Sequence, residues 1–566
     1  MKPPATEGAR PPRIVWYQRL AEDLFAACQP DGAAALERVQ AIFGASFTSE
    51  QLREQVLKRA PGSGPVSIEA TRLVVARLYS FGTWADFESS FAQSLRTGSP
   101  ALYRVDTEDN SITPLPPVSA EGWEEILEVI RDNRITTLRA AGQMTDAVLR
   151  DLSRLDSLTR LHLGGSRRVT GAGLRHLARM PRLELLELSC CDITGEDLAV
   201  VGQLLQLREF SLCHHGGVSD AGLANLKFCE RLERVDLLGS SAGDGVIEAL
   251  AGKPHLRHFR SGNLVTDAGL ALLHRIPAFK TWQGGEPRYS LMGFDAEPNY
   301  LLLRGRITGA GVRNLAGLDG LFALNLDDAS LTFTARELKP LAGLAHLGWL
   351  GFDATDETMG AIAALPHLRM LMCQDTSAGD AGFTALSRSR TIESIWGRRC
   401  YNLRNAGFAA LSGMPSLRGL SVSCKNVDDA ALSALPHFPS LTEFMPMDVS
   451  DDGFRHVGRC ERLEALWCMY CRDTGDAATL HLAGLSRLKS YYAGQTGITD
   501  RSLQMLGRME SLERLTFWAC ANVTNGGVAA LATLPRLREL NLESMPGVTR
   551  EAMAAFPATV RVNLTP

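Results

Sequence analysis

A segment that returns every 23 to 25 residues constrains this chain more than any other feature. Its clearest copies start at Thr170, Ser219 and Thr524, and each carries leucine or valine at fixed distances from that start. Fifteen of the sixteen steps between copies span 23 to 25 residues, and the remaining step spans 42. The starts are residues 145, 170, 194, 219, 242, 266, 308, 332, 356, 379, 404, 428, 451, 475, 499, 524 and 549. Such a repeat predicts units that stack, because one unit alone cannot bury its apolar face.

Each copy contains a strand pattern and a helix pattern. In the segment LRELNL, Leu540 and Leu542 alternate with polar residues and therefore lie on one side of a short extended strand. Thr266 and Asp267 carry the side-chain oxygens that commonly cap a helix start. Leu270 and the apolar residues that follow it at spacings of three form a helical face turned to the core. The repeat therefore predicts parallel strands joined by helices.

The period and the Leu-x-x-Leu-x-Leu pattern together are the signature of a leucine-rich repeat. We predict an α/β fold over residues 134–566, a solenoid of about 17 units with a curved parallel sheet inside and helices outside. The segment ITDRSLQMLGRMESLERLTFWAC, which starts at Ile498, resembles the cysteine-type leucine-rich repeat of substrate-binding F-box proteins and of many bacterial proteins. The resemblance implies a bacterial protein with an adaptable binding frame behind an N-terminal helical module. We find no F-box-like segment before the repeat.

The chain that precedes the repeat has a different composition. Residues 1–97 contain segments with helical spacing, such as GAAALERVQAIFG, and predict a small all-α domain. Residues 98–133 predict a connector, with a short hairpin around Tyr103 to Thr113, and then a capping helix at EGWEEILEVIRDN. A solenoid needs such a helix to cover its first unit.

The 42-residue step contains an insertion near residues 283–306. Insertions in solenoids lie in loops on one face, which is often the binding face. Two interpretations are open, an ordered flap over the groove or one degenerate repeat that has lost its helix. Tyr289, Phe294 and Tyr300 favour the flap, because a solvated loop rarely carries three aromatic residues.

The middle residue of each Leu-x-Leu strand faces outward on the concave side of the predicted sheet. This column is polar in the first half of the array, from His162 to Gln283, and largely apolar in the second half. Tryptophan, methionine and tyrosine on a usually polar strand face predict a surface for a protein or peptide partner. The candidate binding residues are Trp349, Met372, Trp396, Met445, Met447, Trp467, Met469, Tyr470, Tyr492 and Trp518. The alternative is that these side chains pack on one another or under the N-terminal domain.

Cysteine and histidine residues raise the question of a metal or redox site. A zinc site needs four ligands, for which Cys190, Cys213, His214 and His215 are candidates, while Cys468 and Cys471 form a CxxC pair. The repeat offers a simpler explanation, because several cysteines share one register of the unit and serve as core residues. These are Cys191, Cys400, Cys471 and Cys520. We therefore predict no metal site, no cofactor and no catalytic residue.

Charge and hydropathy limit the classes of partner. With 59 Lys and Arg against 63 Asp and Glu, the net charge of −4 provides no electrostatic reason to expect nucleic acid or a membrane as partner. A polar start and the absence of long apolar runs favour a cytoplasmic protein. Phosphate-loop, HExxH and GxSxG motifs are absent. We therefore predict a non-enzymatic protein-binding scaffold. The alternative is the substrate-recognition part of an enzyme or ligase-like adaptor, with activity or recruitment in the N-terminal domain.

Overall fold

The computed structural model describes most of the chain and divides it into two compact units. Residues 1–101 belong with residues 468–566, and residues 102–467 form the other unit. The described residues are 13–43, 47–59, 66–78, 83–85, 102–106, 109–115, 117–282, 287, 289–291, 293–294, 299–326, 328, 331–469, 471 and 474–565.

The unit of residues 102–467 is built on a parallel sheet. The strands of this unit are β1 (Tyr103–Asp106), β2 (Ser111–Pro114), β3 (Thr137–Arg139), β4 (Arg160–His162), β5 (Leu185–Glu187), β6 (Glu209–Ser211), β7 (Arg234–Asp236), β8 (His258–Arg260), β9 (Tyr289–Ser290), β10 (Gly293–Phe294), β11 (Tyr300–Leu302), β12 (Ala323–Asn325), β13 (Trp349–Gly351), β14 (Met370–Met372), β15 (Ser394–Gly397), β16 (Gly419–Ser423), β17 (Glu443–Met447) and β18 (Ala465–Met469), whose last two residues belong to the other unit. β1 and β2 form an antiparallel hairpin. From β2 to β8, and from β11 to β18, each strand pairs in parallel with the next.

Helices return the chain from one strand to the next. The α-helices described in this unit are Ala120–Asp132, Asp146–Leu152, Gly171–Leu174, Asp220–Leu223, Asp244–Ala249, Asp267–Leu272, Gly309–Arg313, Ala335–Leu338, Asp356–Ala363, Asp380–Leu386, Asn405–Leu411, Asp429–Leu432 and Phe454–Val457. The 3₁₀ helices are Arg175–Arg179, Glu196–Gln203, Ala224–Phe228, Leu273–Arg275, Pro277–Phe279, Lys339–Gly343 and Leu435–His437. Central strand residues such as Leu161, Phe259 and Leu301 are fully buried, as are the helix residues Leu270 and Leu273. The core therefore consists of the repeat leucines and their substitutes.

The insertion leaves the sheet continuous within this unit. β11 pairs directly with β8, so that Tyr300 lies opposite His258 and Leu302 lies opposite Arg260. The prediction that Gln283 follows Arg260 in the outward column was therefore wrong, because Leu302 takes that place and Gln283 lies outside the described residues. Within the insertion, β9 and β10 form an antiparallel hairpin.

The unit of residues 1–101 and 468–566 contains helices and repeats. Its N-terminal helices are Arg13–Ala27, Ala33–Phe43, Ser49–Arg59 and Ile68–Leu78. Its repeats contain β19 (Ser490–Gly494), β20 (Arg514–Trp518), β21 (Glu539–Glu543) and β22 (Arg561–Thr565), which pair in parallel in this order, with the helices Asp476–Leu482, Asp500–Leu506, Asn525–Ala530, Leu531–Thr533 and Arg550–Ala555. The N-terminal helices pack on a common core that includes Leu20, Leu24 and Val75. The leucine-rich-repeat solenoid and the all-α N-terminal module are thus confirmed. None of the described helices combines the length and hydropathy of a membrane span.

An aspartate at the start of one helix holds the helix start of the next repeat. The Asp146 carboxylate accepts hydrogen bonds from the backbone N–H of Thr170 at 2.8 Å and from its hydroxyl at 2.6 Å. The same hydroxyl caps its own helix by accepting from the backbone N–H of Ala172. A Cβ atom on Gly173 would lie 2.2 Å from the Asp146 carboxylate, so this position must be glycine. This pair of hydrogen bonds therefore links neighbouring repeats. The pairs with the same two hydrogen bonds include Asp244 with Thr266, Asp267 with Thr308, Asp476 with Thr499 and Asp500 with Thr524.

The hydrogen bonds that the Asp476 carboxylate accepts from Thr499 make the free energy of unfolding depend on pH. Partial burial acts to raise the pKa of this carboxyl, but hydrogen bonds from Ser502 and Thr499 outweigh it, so the pKa is lowered. A lowered folded-state pKa contributes stability that is present above the unfolded pKa of about 4 and is lost as pH falls through the folded pKa. We expect Asp476→Asn to reduce the loss of urea resistance between about pH 5 and about pH 3. Asparagine fits the site, because Asn525 makes the corresponding bonds to Thr549. An unchanged pH dependence in the variant would contradict this assignment.

Candidate functional site

The face of the sheet that points away from the helices carries the candidate site, and we call it the strand face. Its first column holds the residue before the buried centre of each strand, and its second column holds the residue after it. In residues 102–467 the first column from β4 onward is Arg160, Leu185, Glu209, Arg234, His258, Tyr300, Ala323, Trp349, Met370, Ser394, Gly419, Glu443 and Ala465. The second column is His162, Glu187, Ser211, Asp236, Arg260, Leu302, Asn325, Gly351, Met372, Trp396, Ser421, Met445 and Trp467.

Charged residues on β5 to β8 line a cavity of about 330 Å³. Arg160 forms an ion pair with Glu209 at 3.0 Å, and Arg260 forms one with Asp236 at 2.5 Å. Tyr300 also lines the cavity and marks its border with the apolar part of the strand face. The cavity therefore presents both signs of charge to a ligand.

Two further groups, Glu187 and His162, line this cavity. The Glu187 carboxylate accepts hydrogen bonds from the backbone N–H groups of Gly164 at 2.8 Å and Ser189 at 2.9 Å. Burial lowers the pKa of His162, and the positive charge of Arg139 acts in the same direction. The cavity therefore holds a fixed carboxylate beside an imidazole that is neutral at pH 7.

An aromatic cluster occupies the strand face from β11 to β15. Trp349 is only 7% exposed and packs against Phe322 and Met370. The Tyr300 ring lies 6.0 Å from the Trp349 ring, centroid to centroid. Four half-buried residues pack against this centre, namely Trp282, Tyr300, Met372 and Trp396. The apolar surface at this point is therefore preformed by contacts within the protein.

The structure separates the predicted binding residues by accessibility. Trp349, Met445 and Met447 are buried, so they support the surface and do not offer free area. Met372, Trp396 and Trp467 are half-buried on the strand face of the same unit. In residues 468–566, Met469, Tyr492 and Trp518 are also half-buried. Tyr470 lies outside the described residues. Binding by the accessible residues stays a prediction.

One contact on the strand face was missed by sequence reasoning. The backbone N–H of Leu291, in the insertion, donates to the Glu443 carboxylate at 2.6 Å, and the Leu291 side chain is fully buried. Burial raises the pKa of Glu443, although the Leu291 hydrogen bond and the charge of Arg418 act to lower it. The 42-residue step signals an insertion at this point, but nothing in its sequence identifies Glu443 as the partner.

The cysteines are free thiols, and most are in the core. Burial raises the pKa of Cys191 to about 12 and that of Cys400 to about 12. Cys468 of the CxxC pair is fully buried, and burial raises its pKa as well. The described residues contain no group of three or more metal-ligating side chains placed to hold an ion. Thiols with raised pKa values are poor nucleophiles, which agrees with a structural role.

Comparison with known proteins identifies similar solved structures. No protein-family model matches the sequence, and no curated protein matches it. An internalin from Listeria monocytogenes is 17% identical with a TM-score of 0.30, over 74% of this chain and 94% of the internalin. A TLR13–ssRNA13 complex is 15% identical with a TM-score of 0.43, over 78% of this chain and 71% of the matched chain. A yeast Rad7–Elc1 complex is 14% identical with a TM-score of 0.35, over 84% of this chain and 96% of the matched chain. Similarity at this level is no evidence for a shared ligand or partner.

Proposed function

We propose that this protein is a non-enzymatic scaffold that binds a protein or peptide on the strand face of residues 102–467. The observation that carries the proposal is the position of Met372 and Trp396, which are half-buried at the edge of the aromatic cluster. The side chains of the cluster already pack against one another in the absence of a partner. A partner that covers them therefore gains apolar contact while few side chains lose rotamer freedom, which lowers the cost of association.

The two zones of the strand face suit the usual composition of a protein interface. Protein interfaces combine an apolar centre, enriched in tryptophan and methionine, with a polar rim. The aromatic cluster corresponds to the centre, and the cavity with the Arg160–Glu209 and Arg260–Asp236 ion pairs corresponds to a rim. Tyr300 belongs to both zones. A partner with an apolar anchor next to mixed charges would match both.

Site-specific photocrosslinking in the native cell tests this proposal. A photoreactive amino acid at Met372 or at Trp467 should crosslink to a discrete protein, whereas the same group at Leu205, which is 56% exposed, should not. Trp396→Ala should reduce the adduct about tenfold or more, because truncating an anchor residue commonly costs about 2 kcal/mol. Equal adducts at Leu205, or no adduct at either strand-face position, would contradict the proposal.

A further inference from the structure

Leu291 occupies a defined seat on the strand face. The seat lies on three neighbouring strands, where Ser394, Gly419 and Glu443 are paired in register. A Cβ atom on Gly419 would lie 3.6 Å from the Leu291 Cβ atom and 2.7 Å from the Ser394 hydroxyl. The Gly419 backbone is outside the left-handed region, so space and not conformation requires glycine. The missing side chain leaves room for the leucine.

The seat includes one buried polar group, Ser394, and two more lie two residues further along the same two strands, at Trp396 and Ser421. The Ser394 and Ser421 hydroxyls and the Trp396 indole N–H are buried and have no hydrogen-bond partner among the described residues. Ser394 is 3% exposed and Ser421 is fully buried. An unsatisfied buried polar group is unfavourable, because it has lost its hydrogen bonds to water without replacing them. These groups therefore favour an occupant that supplies the missing hydrogen bonds.

The chemistry of the groups defines that occupant. The Glu443 carboxylate accepts an amide N–H, as it does from Leu291. The Trp396 indole is a donor only and requires a carbonyl oxygen, whereas the two serine hydroxyls can donate or accept. Amide N–H and C=O groups beside an aliphatic side chain are the components of a peptide.

We propose that this seat binds a peptide segment of the partner that carries a leucine-sized aliphatic side chain, and that Leu291 is a built-in competitor for it. The inference rests on the proposed function and specifies its ligand. The partner peptide places its aliphatic side chain over Gly419, donates an amide N–H to Glu443 and accepts from the Trp396 indole. The insertion must leave the seat before the peptide enters, so the protein is partly autoinhibited.

Competition of this kind has a measurable size. A competitor that fills the seat about nine-tenths of the time reduces the apparent affinity of a peptide about tenfold. Leu291→Asp releases the insertion, because it would bury a charge beside the Glu443 carboxylate. We therefore expect the full-length Leu291→Asp protein to bind peptide about tenfold more tightly than the unmodified protein.

The probe is a fluorescent peptide with the insertion's own sequence, EPRYSLMGFDA, and binding is measured by fluorescence polarisation. A matched control peptide carries aspartate in place of its leucine and should not bind. In the Leu291→Asp background, Glu443→Ala removes the acceptor of the seat and should abolish the gain in affinity. Circular dichroism and the unfolding temperature report whether each variant is folded.

Filling the seat provides an independent arm. A Cβ atom at position 419 would lie 3.6 Å from the Leu291 Cβ atom and 2.7 Å from the Ser394 hydroxyl, so a side chain there takes the space of the leucine. In the Leu291→Asp background, Gly419→Ala should therefore weaken peptide binding. The same change at Gly343, where nothing lies within 4 Å of the new Cβ atom, should leave binding unchanged.

The proposal is overturned if Gly419→Ala and Gly343→Ala bind the peptide equally well in the Leu291→Asp background, or if Leu291→Asp leaves the affinity unchanged. Those results would leave intact any crosslinks at Met372 and Trp467, which test the proposed function. Conversely, peptide binding as expected would support the seat even if no crosslinks formed at those two positions. The missing crosslinks would then contradict the proposed function.

Discussion

Replacing Gly527 by alanine should destabilise the residue 468–566 repeats by about 2 to 3 kcal/mol, because the new methyl group displaces a hydrogen-bonded carboxylate. A Cβ atom on Gly527 would lie 2.3 Å from the Asp500 carboxylate. That carboxylate accepts hydrogen bonds from the Thr524 backbone at 2.7 Å and from its hydroxyl at 2.6 Å. The substitution therefore breaks the bond between two repeats.

The preceding residue provides a matched control. Gly526 lies in the same helix, but the nearest atoms to a Cβ there are 3.6 Å away, which is ordinary contact. Gly526→Ala should be neutral or stabilise by up to about 1 kcal/mol, since alanine is the better helix former. Hydrogen exchange of the C-terminal repeats in increasing urea measures the change in the free energy of unfolding for both variants.

A double-mutant cycle identifies the cause. In an Asp500→Ala background, Gly527→Ala should lose part of its cost, because the carboxylate is no longer present, while the Cα atom of residue 500 would still lie 2.9 Å from the new Cβ atom. Equal losses at Gly526 and Gly527, or an unchanged cost at Gly527 in the Asp500→Ala background, would show that the carboxylate is not the reason for glycine.

Trp349→Ala should lower the free energy of unfolding by about 3 to 5 kcal/mol, the usual cost of truncating a buried tryptophan. Trp349 is 7% exposed and packs in the aromatic cluster. Trp467→Ala should cost much less, because that side chain is half-buried on the strand face. Both tryptophans are candidate binding residues on strands of the repeat, so the comparison separates support of the surface from contact with a partner.

Chemical denaturation monitored by circular dichroism checks this pair. We expect Trp396→Ala to lower the free energy of unfolding by an intermediate amount, since Trp396 is half-buried but packs against the cluster. If Trp349→Ala and Trp467→Ala lowered the free energy of unfolding by similar amounts, the assignment of Trp349 as a supporting core residue and of Trp467 as an accessible residue would be wrong.

The repeat in the sequence was sufficient to predict the fold, because its contacts recur between neighbours at constant spacing. Leu161, Leu186 and Leu540 are buried strand centres, as the Leu-x-x-Leu-x-Leu pattern requires. The Asp267–Thr308 bond shows that this logic holds across the 42-residue step. Because each repeat packs only against its neighbours, the residue pattern of one repeat is enough to predict how the whole array is built.

The tertiary structure alone decided which strand-face residues are accessible and what else lies on that face. The sequence pattern makes both Trp349 and Trp467 candidate binding residues. In the structure Trp349 packs with Tyr300 and Met370 and is 7% exposed, whereas Trp467 is half-buried. Leu291 and Glu443 are 152 residues apart. No periodic signal links such a pair, because a contact between an insertion and a distant strand occurs once and is not repeated by neighbours. The frame thus follows from local, recurring interactions, whereas the binding surface follows from single contacts that only the folded chain brings together.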